Sequence, residues 1–297
     1  MANSTSLALV SLKSFGDFII ARWALRQVDT TASAVTLLMG EHLAELDAVL
    51  GSAPSARSIR HGEDGVPALF DVKKTGLRRG LVSALRLRNL LRSLRMPLGT
   101  TLVFDRIGAR ERFIAASAPI RALPSSENVY LAYGALFGIP ANTFVSSPLR
   151  LPPATPSIGI FPDSRIAAKT LPAHVVSSLV DICREHGRKV DVFRLEGEGH
   201  DLRADATPVT FVPRRFSAMA QAVRSVDVVI SADSMPAHMA EYFDRPVFVL
   251  SPVANPYWLP LSCFVSKRWS LFDDTSTPPE ALHSLVTPST APRPVSS

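Results

Sequence analysis

The sequence predicts an α/β protein made of two Rossmann-like lobes, each a doubly wound parallel sheet. Three observations predict it. Short apolar, β-branched runs alternate with helix-like segments along the whole chain. A stiff proline-rich tract interrupts that alternation near the middle. In each half a buried strand runs into a polar turn and then a helix start, the arrangement that aims free backbone N–H groups at the carboxyl edge of a sheet. At 297 residues with 46% hydrophobic content, the chain is long enough to bury a sizeable core in each lobe.

The first half opens on Leu7 to Lys13, a buried strand. Ser14-Phe15-Gly16-Asp17 follows as a tight turn in which Gly16 lets the backbone bend sharply, and the helix after it carries Phe18, Ile19, Trp23 and Leu25. Asp17 falls at that helix start, where an N-cap worth about 1 kcal/mol is the plain reading. Ala34 to Met39 reads as a strand, Glu41 to Leu50 as a helix, Ser58 to Arg60 as a short strand, and Gly76 to Arg95 as a basic helix. Thr100 to Asp105 is the next strand; Asp105 and Arg106 end it, and an acid capping the following helix explains Asp105 equally well. Glu127 to Gly138 has helical spacing at Val129, Tyr130, Tyr133, Leu136 and Phe137.

Ser146 to Pro156 holds four prolines in eleven residues and serves as the linker, dividing a first lobe (1–147) from a second (157–277). Ser157 to Phe161 opens the second lobe as a strand, followed by a loop from Pro162 to Lys169, a helix from Pro172 to His186 and a strand from Lys189 to Arg194. Glu196-Gly197-Glu198-Gly199 follows at the carboxyl edge, where carboxylates commonly meet a ribose; an acidic surface turn is the alternative. Next come a strand from Pro208 to Val212 and a helix from Ser217 to Val223. Val226 to Ile230 and Pro246 to Leu250 are strands buried on both faces, joined by a helix whose start holds Ser231 to Ser234 as cap residues and Pro236 in the first turn. Pro279 to Leu285 can form a last helix within a tail (278–297) that ends in a disordered Pro/Ser/Thr-rich stretch.

Composition narrows the chemistry. The net charge of +6 lies in the first half, where residues 1–150 hold 18 Lys+Arg against 11 Asp+Glu while residues 151–297 hold 14 against 15. Lys73 to Arg95 is its densest part, eight basic residues with no acid between them. A solvated helix face explains such a run; the alternative is a peripheral surface for lipid headgroups or a phosphorylated glycolipid. Nucleic acid is excluded as a partner because no aromatic residue is present there for base stacking. No apolar run reaches the roughly 20 residues of a membrane span, and the N-terminus shows no charged signal region. Cys183 and Cys263 stand far apart, consistent with a reduced, cytoplasmic protein. HExxH, GxSxG and GxxxxGK[ST] patterns are all missing, which argues against a metal hydrolase, a serine hydrolase and a P-loop kinase.

Three motifs in order resemble one family. Asp233, Ser234, Pro236, His238, Ala240 and Pro246 fit the pattern DSGPxHxAAAxxxP of the heptosyltransferase-like glycosyltransferases, family 9; Met235 and Ser251 stand where that family has glycine. LVSLKSFGDFIIARWAL resembles the family's opening strand, S-x-G-D turn and helix. Pro162, Ser164, Lys169 and Pro172 fit HPGSxxxxKxWP, from which Phe161, Asp163 and Leu171 depart.

The resemblance implies the GT-B arrangement, two Rossmann-like lobes facing a central cleft. It implies inverting transfer of a sugar, a heptose from a donor such as ADP-heptose, to a lipopolysaccharide-core or related glycan acceptor, with no cofactor and no metal. On that resemblance Asp17 is the catalytic base and Lys169 offsets the leaving diphosphate. Ser164, Glu198, Asp233, Ser234, Met235, Pro236 and His238 bind the donor, while Lys13, Ser14, Gly16, Asp105 and Arg106 face the acceptor. Asp163 beside a diphosphate is repulsive unless Arg165 or Lys169 neutralises it. The departures at Phe161, Asp163, Met235 and Ser251 support a second reading, a scaffold that binds a nucleotide, glycan or protein without turnover, and a sugar-nucleotide epimerase of the same two-lobed shape is a third.

Overall fold

The computed structural model describes residues 6–11, 15–27, 35–51, 56–59, 76–94, 96–140, 156–197, 209–272 and 282. The chain divides into two compact units, Met1–Thr143 and Phe144–Ser297.

The first unit runs β1 (Leu7–Ser11), α1 (Phe15–Arg26), β2 (Val35–Gly40), a 3-10 turn (Glu41–Leu43), α2 (Ala44–Val49), β3 (Ala56–Ile59), α3 (Leu77–Ser93), β4 (Thr101–Phe104), α4 (Ala109–Ala115), β5 (Ile120–Ala122) and α5 (Val129–Leu136). Its strands are all parallel in the order β3-β2-β1-β4-β5. Ala8, Val10, Leu38, Leu102 and Phe104 of the sheet pack on Ala84, Leu87 and Leu91 of α3, one continuous apolar layer. Each fully buried leucine there removes enough apolar area to contribute about 2 kcal/mol. Trp23 of α1 meets Tyr130 of α5 edge to face with ring centroids 4.9 Å apart. Arg22 of α1 pairs with Asp47 of α2 at 2.7 Å, both side chains buried, so neither charge is left alone in the interior.

The second unit runs β6 (Ile158–Phe161), a 3-10 turn (Ala167–Lys169), α6 (Ala173–Glu185), β7 (Val190–Leu195), β8 (Val209–Val212), α7 (Phe216–Arg224), β9 (Val228–Ala232), α8 (Met235–Tyr242), β10 (Val247–Ser251), a 3-10 turn (Pro256–Trp258), α9 (Leu261–Ser266) and β11 (Trp269–Leu271). Its parallel order, β11-β10-β9-β6-β7-β8, is the six-strand order of dinucleotide-binding sheets. β9 and β10 are buried at every position, as their unbroken apolar runs require. A Cβ on Gly159 would stand 2.9 Å from both Phe161 and Val226, so only glycine fits where the β6 backbone passes under those side chains.

The structure differs from the sequence expectations at several edges. The helix expected over Glu41 to Leu50 begins as a separate 3-10 turn. β9 starts two residues late because Asp227 is outside the strand: its Oδ2 accepts hydrogen bonds from the Ser157 N–H at 3.0 Å and the Ser157 Oγ at 2.8 Å, clamping the starts of β6 and β9 together. β5, α9 and β11 are additions. All but Pro156 of the linker, and all but Leu282 of the last helix, lie outside the described residues. Leu282 itself is fully buried in the core of the second unit, with Phe248, Leu250 and Phe272 in the same cluster.

Candidate functional site

The second unit carries the denser cluster. In its strand order the direction of winding reverses between β9 and β6, and ligands of open parallel sheets bind outside the carboxyl ends of the strands flanking such a reversal. Phe161 pairs with Ser231 in register, so the loops after β6 and β9 leave the sheet side by side. Lys169 from the first loop donates from Nζ to Asp233 Oδ2 of the second at 2.6 Å, a charge-assisted bond that ties the two strand ends together. Asp233 is nearly buried and Lys169 about a quarter exposed, leaving the ammonium a wet side.

The loop that holds Lys169 is closed on itself. The Leu171 N–H donates to the Pro162 carbonyl at 2.9 Å, and the Ser164 N–H donates to Thr170 Oγ1 at 3.2 Å. Ser164 Oγ accepts from the Ile166 N–H at 3.3 Å. These bonds fix Ser164 and Lys169 in one frame before any ligand arrives.

Asp163 is handled differently from the sequence expectation. Neither Arg165 nor Lys169 neutralises it: Arg194, at the end of β7, donates from Nη2 to Oδ1 at 2.8 Å and from Nε to Oδ2 at 3.3 Å, and the Leu195 N–H adds a third bond at 2.7 Å. Both side chains are almost completely buried. The carboxylate is thus turned inward and compensated, and the repulsion toward a bound anion is removed at its source. Phe161 and Leu171, the other departures of that motif, are apolar core positions; Phe161 stacks on Phe193 with centroids 4.9 Å apart.

On the other side Ser234 caps α8, Met235 is its first residue and Pro236 its second, where the missing N–H is of no consequence. Ser234 Oγ is enclosed yet has no hydrogen-bond partner among the described residues, at the positive end of an eight-residue helix. His238, one turn in, is 6% exposed. Burial pushes its pKa down to about 4, and the Lys169 charge adds to the shift while Asp233 opposes it, so the imidazole is neutral near pH 7. Neither Met235 nor Ser251 has a positive φ, so the backbone does not require the family's glycine at either place. Ser251 Oγ donates to the Val253 carbonyl at 2.9 Å.

A cavity of about 630 Å3 opens along the same carboxyl edge, between the ends of β7 and β8 and the start of α7. Glu196, Arg214, Ser217 and Gln221 line it, and Arg214 Nε donates to the Glu196 carbonyl at 2.8 Å. Glu198, the acid matched to a ribose, lies outside the described residues; Glu196 is the carboxylate among the described residues that lines this cavity.

In the first unit the reversal falls between β1 and β4. Asp17 is the third residue of α1, in its first turn, and Asp105 and Arg106 follow β4, so all three sit on the carboxyl edge beside that reversal. Gly16 is an ordinary helical residue without positive φ, so the sharp bend expected there is not at Gly16. Asp105 does not cap α4: its N-cap is Gly108, whose N–H donates to Glu111 Oε2 at 2.9 Å. Lys13 and Ser14 lie outside the described residues.

Arg194 is the neighbour of this cluster that sequence reasoning missed. Its signal was a lone cation ending the apolar strand VDVFRL, where a buried charge demands a partner.

Two consecutive units of Rossmann order define the class of fold, the GT-B architecture of glycosyltransferases. Within it the fold is that of the family 9 heptosyltransferases. The chain is similar to a family 9 glycosyl transferase from Veillonella parvula at 15% identity, covering 96% of this chain and 91% of that one, with a TM-score of 0.61. It is similar to the E. coli heptosyltransferase WaaC solved with ADP-2-deoxy-2-fluoro heptose (13% identity, 95% and 96% covered, TM-score 0.59). It also resembles E. coli ADP-heptose lps heptosyltransferase II (14% identity, 95% and 98% covered, TM-score 0.54). No protein-family model and no curated sequence matches it.

Proposed function

We propose that the chain is an inverting glycosyltransferase that moves a heptose from ADP-heptose, or a closely related nucleoside diphosphate sugar, to a hydroxyl of a lipopolysaccharide-core or similar glycan. The observation that carries this reading is the Lys169–Asp233 bond across the reversal point, beside the open N-terminus of α8 and the unpartnered Ser234 hydroxyl. A diphosphate there meets an ammonium, a hydroxyl and the positive end of the α8 dipole, groups that stabilise the negative charge of a departing nucleoside diphosphate. The donor named with WaaC and the substrate class in the heptosyltransferase II name support the choice of sugar and acceptor.

In the proposed reaction the acceptor hydroxyl attacks the anomeric carbon as Asp17 takes its proton, and the glycosidic bond to the diphosphate breaks in the same displacement, inverting the centre. Lys169 and Ser164 hold the diphosphate from the β6 loop, and Ser234, Met235 and Pro236 approach it from α8. Asp233 keeps Lys169 in place, and neutral His238 supports the helix start from beneath without adding charge. Glu196 and Arg214 offer hydrogen bonds to the ribose and base in the adjoining cavity, and the resemblance gives Glu198 the same ribose role. Lys13, Ser14, Gly16, Asp105 and Arg106 form the acceptor side. Lys169 does the electrostatic work of a metal, so transfer proceeds in EDTA.

The inward compensation of Asp163 by Arg194 weakens the case for a non-catalytic scaffold, since that departure no longer sets a charge against the donor. The test is ADP release from ADP-heptose with and without a heptose-deficient lipopolysaccharide acceptor. Acceptor-dependent release with a glycosylated product supports the reading. Saturable binding without turnover, or an isomerised donor with no product, overturns it.

A further inference from the structure

The face of α3 turned away from the sheet is unusual for a solvated helix. Its inner side, with Ala84, Leu87 and Leu91, completes the core. Its outer side exposes Leu77 (80%), Leu81 (55%) and Leu85 (42%), spaced one turn apart, with Val82 flanking them. At about 100° per residue these three leucines share a single arc with Arg78, Arg88 and Arg92, while Arg79 and Arg86 lie farther round the helix beyond Val82. Arg88 is half-buried with its guanidinium over the Phe113 ring, and Arg78 and Arg92 are exposed. The helix carries five arginines and no acid. Charge repulsion keeps a second copy of this face from packing against it, and a solvated surface gains nothing from leucines set in water.

We infer that this face is a docking surface for an anionic lipid bilayer. Leucines on such a helix enter the headgroup boundary while the arginines around them extend their guanidinium groups to lipid phosphates, so one arc satisfies both kinds of side chain. The absence of any acid matches a negatively charged leaflet. As the crossover feeding parallel strand β4, α3 runs back from the carboxyl edge of its sheet, so Leu77, Leu81 and Leu85 occupy the end nearest the edge that holds Asp17 and Asp105. A bilayer bound there presents a lipid-linked acceptor to that edge, which deepens the reading above and rests on it only for the acceptor.

The test is co-sedimentation of the full chain with vesicles of phosphatidylcholine alone and of phosphatidylcholine mixed with phosphatidylglycerol. Binding to the mixed vesicles, weak binding to the neutral ones, and a steep loss with added salt are expected. Replacing Arg78 and Arg92 together by Gln weakens partitioning about 30-fold, as two basic residues of about 1 kcal/mol each imply. Replacing Leu77, Leu81 and Leu85 by Gln weakens it about tenfold. All five side chains are solvent-exposed, and the salt titration of the unaltered chain stands as a test without any variant. Equal binding to both vesicle types, no binding at low salt, or a leucine-dependent protein complex formed instead overturns the inference. ADP release in solution reads the transferase reaction separately, so either proposal can fail while the other stands.

Discussion

Replacing Arg194 by Met isolates the buried pair that shapes the Lys169 loop. The substitution keeps a long apolar stem but leaves the Asp163 carboxylate buried with only the Leu195 N–H to hold it. Breaking one partner of a buried ion pair costs about 3–5 kcal/mol, because the remaining charge stays desolvated without compensation. With a urea slope of about 2 kcal/mol per molar for a unit of this size, the unfolding midpoint falls by about 2 M. Changing Asp163 to Asn as well removes the stranded charge and keeps an acceptor for Leu195, so the double variant recovers to within about 1–2 kcal/mol of the starting protein. Trp258 and Trp269 belong to the second unit and Trp23 to the first, so single-tryptophan versions report the unit concerned. Additive effects of the two substitutions, with no recovery, would refute the claim that the pair is a mutually compensating brace.

Other outcomes follow from the same cluster. Asp17→Asn is expected to abolish acceptor-dependent transfer while the nucleotide dissociation constant changes less than about threefold, and retained turnover in a steady-state assay rules out Asp17 as the base. Lys169→Ala weakens ADP binding by about tenfold to 100-fold in titration calorimetry; unchanged affinity removes Lys169 from the donor site. His238 has its folded pKa lowered from 6.5 to about 4, so the unfolded chain binds the extra proton between those values. Its contribution is therefore complete above pH 6.5 and lost as pH falls toward 4, a span of about 3 kcal/mol. The buried Glu241, whose pKa is raised, shifts stability the opposite way in that range, and it is common to both proteins when His238→Gln is compared with the parent. The pH dependence of the difference in urea midpoints reads His238 alone; a flat difference counts against its burial as the neutral form.

How much was legible followed the physics of each element. β9 and β10 are buried on both faces, and such strands write themselves as unbroken runs such as VFVL. β5 and β11 have three residues each and half-exposed side chains at the sheet edges, so no periodicity marks them. The Ser234-to-His238 helix start could be read from local chemistry, since cap, proline and helix lie within a few residues. The Asp163–Arg194 bond joins residues 31 apart on different elements, and no local pattern states that a strand cation will turn toward a loop acid. Gly16 was misjudged for a related reason: glycine permits a sharp turn but does not demand one.

Leu282 bears on how the chain can be shortened. A version trimmed just after Phe272, where the last strand has closed the sheet, would look complete by its secondary structure yet leave a leucine-sized gap between Phe248, Leu250 and Phe272. Such a gap costs about 2–5 kcal/mol, a large share of what holds a domain folded. Expression boundaries for the isolated second half therefore belong beyond residue 282, with any affinity handle placed after it.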